Sequence, residues 1–384
     1  MLNVPHERRI LPDVMAMRGF ATEEGTASYR QRRADHPDHV RRLQDVWASS
    51  IGLGTYLGDP DEGTDRLSAQ ALEAALSLGC NVIDTAINYR CQRSERTIGE
   101  TLERLIGQGT IARADVALCT KGGYVPFDGR MPADAGRYLI DAFLEPGIIP
   151  YDDLVAGCHC LHPRYLAHQL AASLTNLRAE AIDVYYLHNP EQQLEAISRE
   201  LFMQRMEAAF GLLEQQAARG TIRWYGTATW NGYRTNPNAT DYLSLPAFVD
   251  LARRVGGDAH HFRVIQVPLN LSMPEAYAFK NQVVHGETLT LLEAAQRLGV
   301  SVIASASLLQ SQLTKLPQAI QELIPDLQTD AQRAIQFARS VPGVTTALVG
   351  MKRTLHVEEN LALAKMPALS SDQVGRLFAR RTKR

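Results

Sequence analysis

From residue 49 onward, short apolar or β-branched runs alternate with longer segments whose apolar positions recur at helical spacing. That alternation predicts repeated strand–helix units built around a parallel sheet. Eight runs read as strands: SIGLGT at 50–55, NVIDTA at 81–86, DVALCTK at 115–121, AIDVYYLH at 181–188, TIRWYGTAT at 221–229, RVIQVPLN at 263–270, SVIASAS at 301–307 and TTALVGM at 345–351. Between them, 65–78 places Leu67, Ala71, Leu72 and Ala75 on one face, and 163–177 opens on Pro163, which suits a first helical turn. Eight such units predict a closed (β/α)8 TIM barrel. A doubly wound sheet is the alternative, but no G-x-G-x-x-G follows any of these strands.

Two segments fall outside the repeat. Residues 1–48 are mixed in charge and rich in arginine, and are expected as an N-terminal extension packed on a barrel that spans 49–370. Residues 122–162 separate the third strand from its helix by far more than the ~2–6 residues of an ordinary strand-to-helix loop. The prolines, glycines, Tyr124, Phe127, Tyr138 and Phe143 of this long insertion predict a folded cap at the end of the barrel where substrates bind. Residues 371–384 read as a basic C-terminal tail.

Composition narrows the classes of partner. The 384 residues are 45% hydrophobic and 21% charged with a net charge of −2, an ordinary globular balance without the basic footprint of a nucleic-acid binder. Arg30, Arg32 and Arg33 read as a solvated patch. The five cysteines, at 80, 91, 119, 158 and 160, form no extracellular framework and predict reduced thiols in a cytoplasm. No apolar run approaches the ~20 residues that cross a membrane, and MLNVPHERRILPD lacks the apolar core of a secretory signal. The expected location is therefore cytoplasmic, with a small molecule as partner and neither nucleic acid nor membrane. No exposed apolar helix face or heptad run identifies an oligomer interface.

In a barrel of this class the site lies at the C-terminal ends of the strands, so polar residues that end apolar strands are the ones to collect. Asp84 ends the second strand, Tyr89 follows in its loop, Lys121 ends the third strand and His188 the fourth. Each alone is ordinary, but together they fit one chemistry. A tyrosine donates a proton at neutral pH, and a neighbouring cation favours the anion it leaves. Lys121 would be that cation, Asp84 the carboxylate that keeps it charged in a desolvated pocket, and His188 a hydrogen-bonding partner that orients a carbonyl. What the group lacks is a hydride, which implies a nicotinamide cofactor.

The chain resembles the aldo-keto reductase superfamily over roughly residues 50–365. IDTAINY followed by SERTIGETL, the lysine of ALCTKGG, and SLTNLRAEAIDVYYLHNPE ending its strand on a histidine are similar to the family's catalytic segments, in order. GTIRWYGTAT and QVPLN resemble its fifth and sixth strands, and PGVTTALVGMKRTLHVEENLALA its C-terminal cofactor segment. The resemblance implies NADPH, with NADH as the alternative, lying across the C-terminal rim, and reversible reduction of an aldehyde or ketone with Tyr89 as general acid. It assigns to the cofactor Gly54, Thr55, Ala228, Thr229, Gln266 at the nicotinamide, Ser305, Ala306, Lys352 and Arg353 near a 2′-phosphate, His356, and Glu359 with Asn360 at the adenine.

This chain departs from the family pattern in several places. The insertion lengthens the gap between Lys121 and His188 and is expected to act on substrate choice. Ser305 or Ala306 stands where many members stack an aromatic residue on the nicotinamide, Ala228-Thr229 replaces a serine–asparagine pair, and His356 an arginine. Two rival readings are a cofactor-binding regulatory barrel without significant turnover, which would have lost one of the four polar residues, and a barrel lyase or isomerase using Lys121 as a Schiff base. Cys158, His159, Cys160 and His162 are too tightly spaced for a structural zinc site, and no metal is expected. Cys91 reads as a small loop residue, and Leu361, Leu363 and Ala364 as core.

Overall fold

A computed structural model describes residues 17–379. All eight strand segments form one closed parallel barrel in chain order: β1 Ile51–Gly54, β2 Val82–Asp84, β3 Ala117–Gly122, β4 Ile182–His188, β5 Ile222–Ala228, β6 Phe262–Pro268, β7 Ser301–Ser305 and β8 Val344–Gly350. A parallel strand enclosed on both faces needs a nearly continuous apolar run, which is why these segments stand out in the sequence. Val82, Cys119, Val184, Tyr186, Val264, Ile303 and Leu348 fill the barrel interior. A larger layer between strands and helices includes Leu53, Ile83, Leu118, Leu187, Ile265 and Val302.

Register then sets the rim. Asp84 pairs with Gly54 on one side and Cys119 on the other, Lys121 with Tyr186, His188 with Ala228, and Ala228 with Gln266. The polar strand ends therefore face one another across the C-terminal mouth. The helix after β1 runs Glu62–Ser77, three residues earlier than the apolar pattern suggests, because Asp61 caps it by accepting the Thr64 N–H at 2.8 Å. The helix Pro163–Leu177 begins on its proline, and His162 caps it through Nδ1.

The floor of the barrel is closed by the N-terminal extension. Its helix Glu23–Arg33 precedes a hairpin, Val40–Leu43 against Val46–Ser49, that sends Leu43, Val46 and Ala48 into the barrel interior. Residues 1–16 of the extension lie outside the described residues. The 122–162 insertion has its own small core, Phe143, Leu144, Ile149 and Cys160 against Tyr165 of the following helix, with Phe127 and Tyr138 ringed around it.

Two elements differ from the sequence reading. A hairpin, Lys280–Val284 paired with Glu287–Thr290, intervenes between β6 and its helix, turned by His285 and Gly286, both at positive φ. The tail is not free: Ser371–Ala379 is a helix that buries Val374 and Leu377, and Phe378 packs on Phe337 and Tyr277. One apolar stripe among basic residues is enough to seat a short helix, and charge composition conceals it. Residues 380–384 lie outside the described residues.

Candidate active site

The four residues collected from the strand ends meet at the mouth of the barrel. Lys121 is fully buried, and its Nζ donates to Asp84 Oδ1 at 2.5 Å and to the Thr85 carbonyl at 2.7 Å. The other Asp84 oxygen accepts from Gln266 Nε2 at 2.8 Å. Lys121 Nζ also lies 4.9 Å from the centroid of the Tyr89 ring, and the Tyr89 and His188 rings meet edge to face at 5.8 Å. An ammonium has three donors, so one remains for the tyrosine.

Burial decides how these groups titrate. It pulls the Lys121 pKa down, but Asp84 and Tyr89 more than offset it, so the net shift is upward and the ammonium stays charged. Burial raises the Asp84 pKa while Lys121 and Gln266 pull it back, and the 2.5 Å contact is that of an ammonium–carboxylate pair. Tyr89 is raised above its ordinary value because burial outweighs Lys121. The lysine acts in the direction expected from the sequence, yet the tyrosine keeps its proton. His188 is held well below the usual imidazole range by burial, then by the Lys121 charge, so it is neutral. Its Nδ1 is buried without a partner, which leaves Nε2 toward the cavity. An orphaned buried acceptor is tolerated better than an orphaned N–H, so the proton belongs on Nε2.

Asp84, Tyr89 and His188 open onto a cavity of about 450 Å³, and Lys121 lies behind them. Gly54, Thr55, Asp84, Tyr89, His188, Ala228, Thr229, Gln266, Ser305 and Ala306 all line it. The C-terminal group does not. Lys352, Arg353 and His356 are exposed on and before the helix Thr354–Leu361. Glu359 Oε1 accepts from Thr329 Oγ1 at 2.6 Å, and its carbonyl from Gln332 Nε2, so the residue assigned to adenine is tied to the side chains that cap the neighbouring helix. Gln266, assigned to the nicotinamide, gives one amide N–H to Asp84 and keeps the other N–H and Oε1 for a ligand.

Strand-end reasoning missed Tyr56, Asn88, Asn189, Trp230 and Gln310, which also line the cavity, and it left Tyr124 in the cap. Tyr56 and Trp230 immediately follow Thr55 and Thr229. Extending the search one residue into each loop would have found them. The Cys158–His162 cluster is dispersed by its partners: both His159 nitrogens are engaged, Cys160 is in the cap core, and His162 caps a helix. Among the described residues, no group of three or more His, Cys, Asp or Glu side chains is placed to hold a metal ion, and no helix is long and apolar enough to cross a membrane.

Residues 50–253 match the model of the aldo/keto reductase family. The chain is 23% identical over 363 residues to the uncharacterized oxidoreductase YqkF of Bacillus subtilis, an alignment covering 86% of this chain and 92% of that protein. An aldo/keto reductase of Klebsiella pneumoniae, crystallised with NADP and acetate, shares the fold at a TM-score of 0.60 and 20% identity, over 89% of this chain and 95% of the other. The holo aldo-keto reductase of Bacillus halodurans gives 0.60 at 18% identity, over 88% and 95%.

Proposed function

Because the chain belongs to the aldo/keto reductase family and is an oxidoreductase of it, we propose that it reduces an aldehyde or ketone to an alcohol with NADPH. The observation that carries the reading is the buried Asp84–Lys121 pair beneath the Tyr89 ring, with neutral His188 edge-on to that ring at the mouth of the cavity.

The residues present fit a dinucleotide. Thr229 Oγ1 and Ser307 Oγ are buried without partners on residues that line the cavity, and Asn360 Oδ1, on the helix Thr354–Leu361, is likewise buried without a partner. Gln266 Oε1 is left to accept an amide N–H. Lys352 and Arg353 stand exposed at the start of Thr354–Leu361, whose first N–H groups have no side-chain cap, a setting that suits a phosphate. NADPH, when bound, supplies the hydride from C4 of its nicotinamide.

The chain's own residues do the rest. Tyr89 passes its hydroxyl proton to the carbonyl oxygen as negative charge builds there. Lys121 stabilises the phenolate left behind, and Asp84 keeps Lys121 charged and in place. His188 donates Nε2–H to the carbonyl oxygen and fixes its direction. One hydride and one proton convert the carbonyl to the alcohol, and the same groups run the oxidation in reverse.

Fluorescence titration with NADPH and NADH, followed by turnover of small aldehydes, tests the reading. Tighter binding of NADPH, lost selectively when Lys352 and Arg353 are both replaced by alanine, is the expected result. Binding of neither nucleotide would overturn it, and binding without turnover of any carbonyl compound would favour a regulatory barrel.

A further inference from the structure

The insertion leaves the barrel at the end of β3 and returns to it through a short antiparallel stem. Val125 N–H donates to the Cys158 carbonyl at 2.7 Å and Cys160 N–H to the Gly123 carbonyl at 2.9 Å. Tyr124 and His159 face each other between those bonds as a non-hydrogen-bonded pair, the arrangement that brings side chains closest. Their rings lie 4.9 Å apart, and the Tyr124 ring stands perpendicular to His188 at 5.0 Å.

Behind His188, the His159 imidazole is fully buried with both nitrogens engaged. Nε2 is 2.8 Å from the His188 carbonyl oxygen, which can only accept, so Nε2 carries the proton. Nδ1 accepts from Gln193 Nε2 at 2.8 Å, and Gln193 is oriented by Arg205, which donates to its Oε1 at 2.6 Å. Arg205 in turn pairs with Asp153 of the insertion at 2.9 Å. Tyr124 is tied to the same loop: its hydroxyl donates to Gln192 Oε1 and accepts from Asn189 Nδ2 at 3.1 Å.

Gly123 makes the contact possible. A Cβ there would lie 2.9 Å from His159 Nε2 and 3.2 Å from the His188 oxygen, and its φ of +135° is one that side-chain-bearing residues avoid.

We propose that Tyr124 and His159 are positioning residues that hold the His188 loop for catalysis, so that the insertion acts on the reaction through its stem. The inference rests on the reductase reading, since it gives His188 a task that needs precise placement. A displacement of about 1 Å in such a group can lower turnover roughly 100-fold.

The test compares His159→Leu, His159→Gln, Tyr124→Leu and the distal control Tyr151→Ala, whose side chain is exposed. The readouts are kcat and KM with NADPH and 4-nitrobenzaldehyde, NADPH affinity and thermal melting. His159→Leu and Tyr124→Leu should lower kcat by about 10- to 100-fold with NADPH affinity unchanged. His159→Gln, which keeps a donor near the Nε2 position, should recover most of that loss, and Tyr151→Ala should match wild type. A His159→Gln enzyme no better than His159→Leu, unchanged kcat in His159→Leu, or an equal loss in Tyr151→Ala would overturn the proposal. A wild type inactive on every carbonyl compound would instead be failure of the reductase reading. Crystal structures then still decide the positioning claim: His188 displaced in His159→Leu supports it, and His188 unmoved contradicts it.

Discussion

On the proposed mechanism Lys121 joins stability and chemistry in one side chain, and substitution can separate the two. Replacing it by methionine leaves the Asp84 carboxylate buried with only Gln266 as a side-chain partner, and removal of one partner from a buried pair costs about 3–5 kcal/mol. The double variant Asp84→Asn/Lys121→Met carries no buried charge at this site and should recover most of that stability in urea melts. Turnover should stay depressed by about 100-fold or more in both, because the phenolate loses its cation either way. If the double variant regains activity with stability, Lys121 serves the fold alone. Asp84, Lys121 and His188 were legible because a charged or polar group ending an apolar strand has few structural uses, and Tyr89 because the loop after such a strand lies at the same mouth. Glu359 was not: its engagement by Thr329 depends on where the helix Asp330–Ser340 begins in space, which no local spacing reveals.

At the scale of elements, the barrel strands could be read because burial on both faces imposes apolar runs. The hairpin at 280–290 could not, because its strands are short and half exposed, although Val-His-Gly-Glu carries a two-residue turn signal. The C-terminal helix was hidden by basic neighbours, and its contribution is measurable. Val374 is fully buried and Leu377 nearly so, and each buried side chain of this size contributes about 1.5–3 kcal/mol. Truncation after Ser370 should therefore lower the melting temperature clearly, and an unchanged melt would mean that this helix does not hold its place. The aromatic residues of the insertion predicted a folded unit, and Phe127, Tyr138 and Phe143 pack in and around its core while Tyr124 turns to His188 and the cavity.

Across the whole molecule, buried histidines set part of the response to acid. His39 and His159 are lowered to about 4, mainly by burial. A histidine depressed in the fold binds its proton more readily once unfolded, so its contribution is complete above about pH 6.5 and is lost as pH falls toward the folded value. Glu95 and Glu191, raised chiefly by burial, act in the opposite sense by taking up protons in the folded state first. His159→Gln isolates one group from this sum. Below about pH 6.5 the stability of wild type relative to this variant should fall by about 1.4 kcal/mol per pH unit, and parallel stability curves for the two proteins would contradict the buried neutral imidazole.

The central claim is that this barrel transfers a hydride while Tyr89 supplies the proton. It is tested most directly by measuring NADPH affinity and carbonyl turnover side by side in wild type and Tyr89→Phe. The account predicts unchanged affinity and turnover lower by about 100- to 10,000-fold; turnover that survives the loss of the hydroxyl would contradict it.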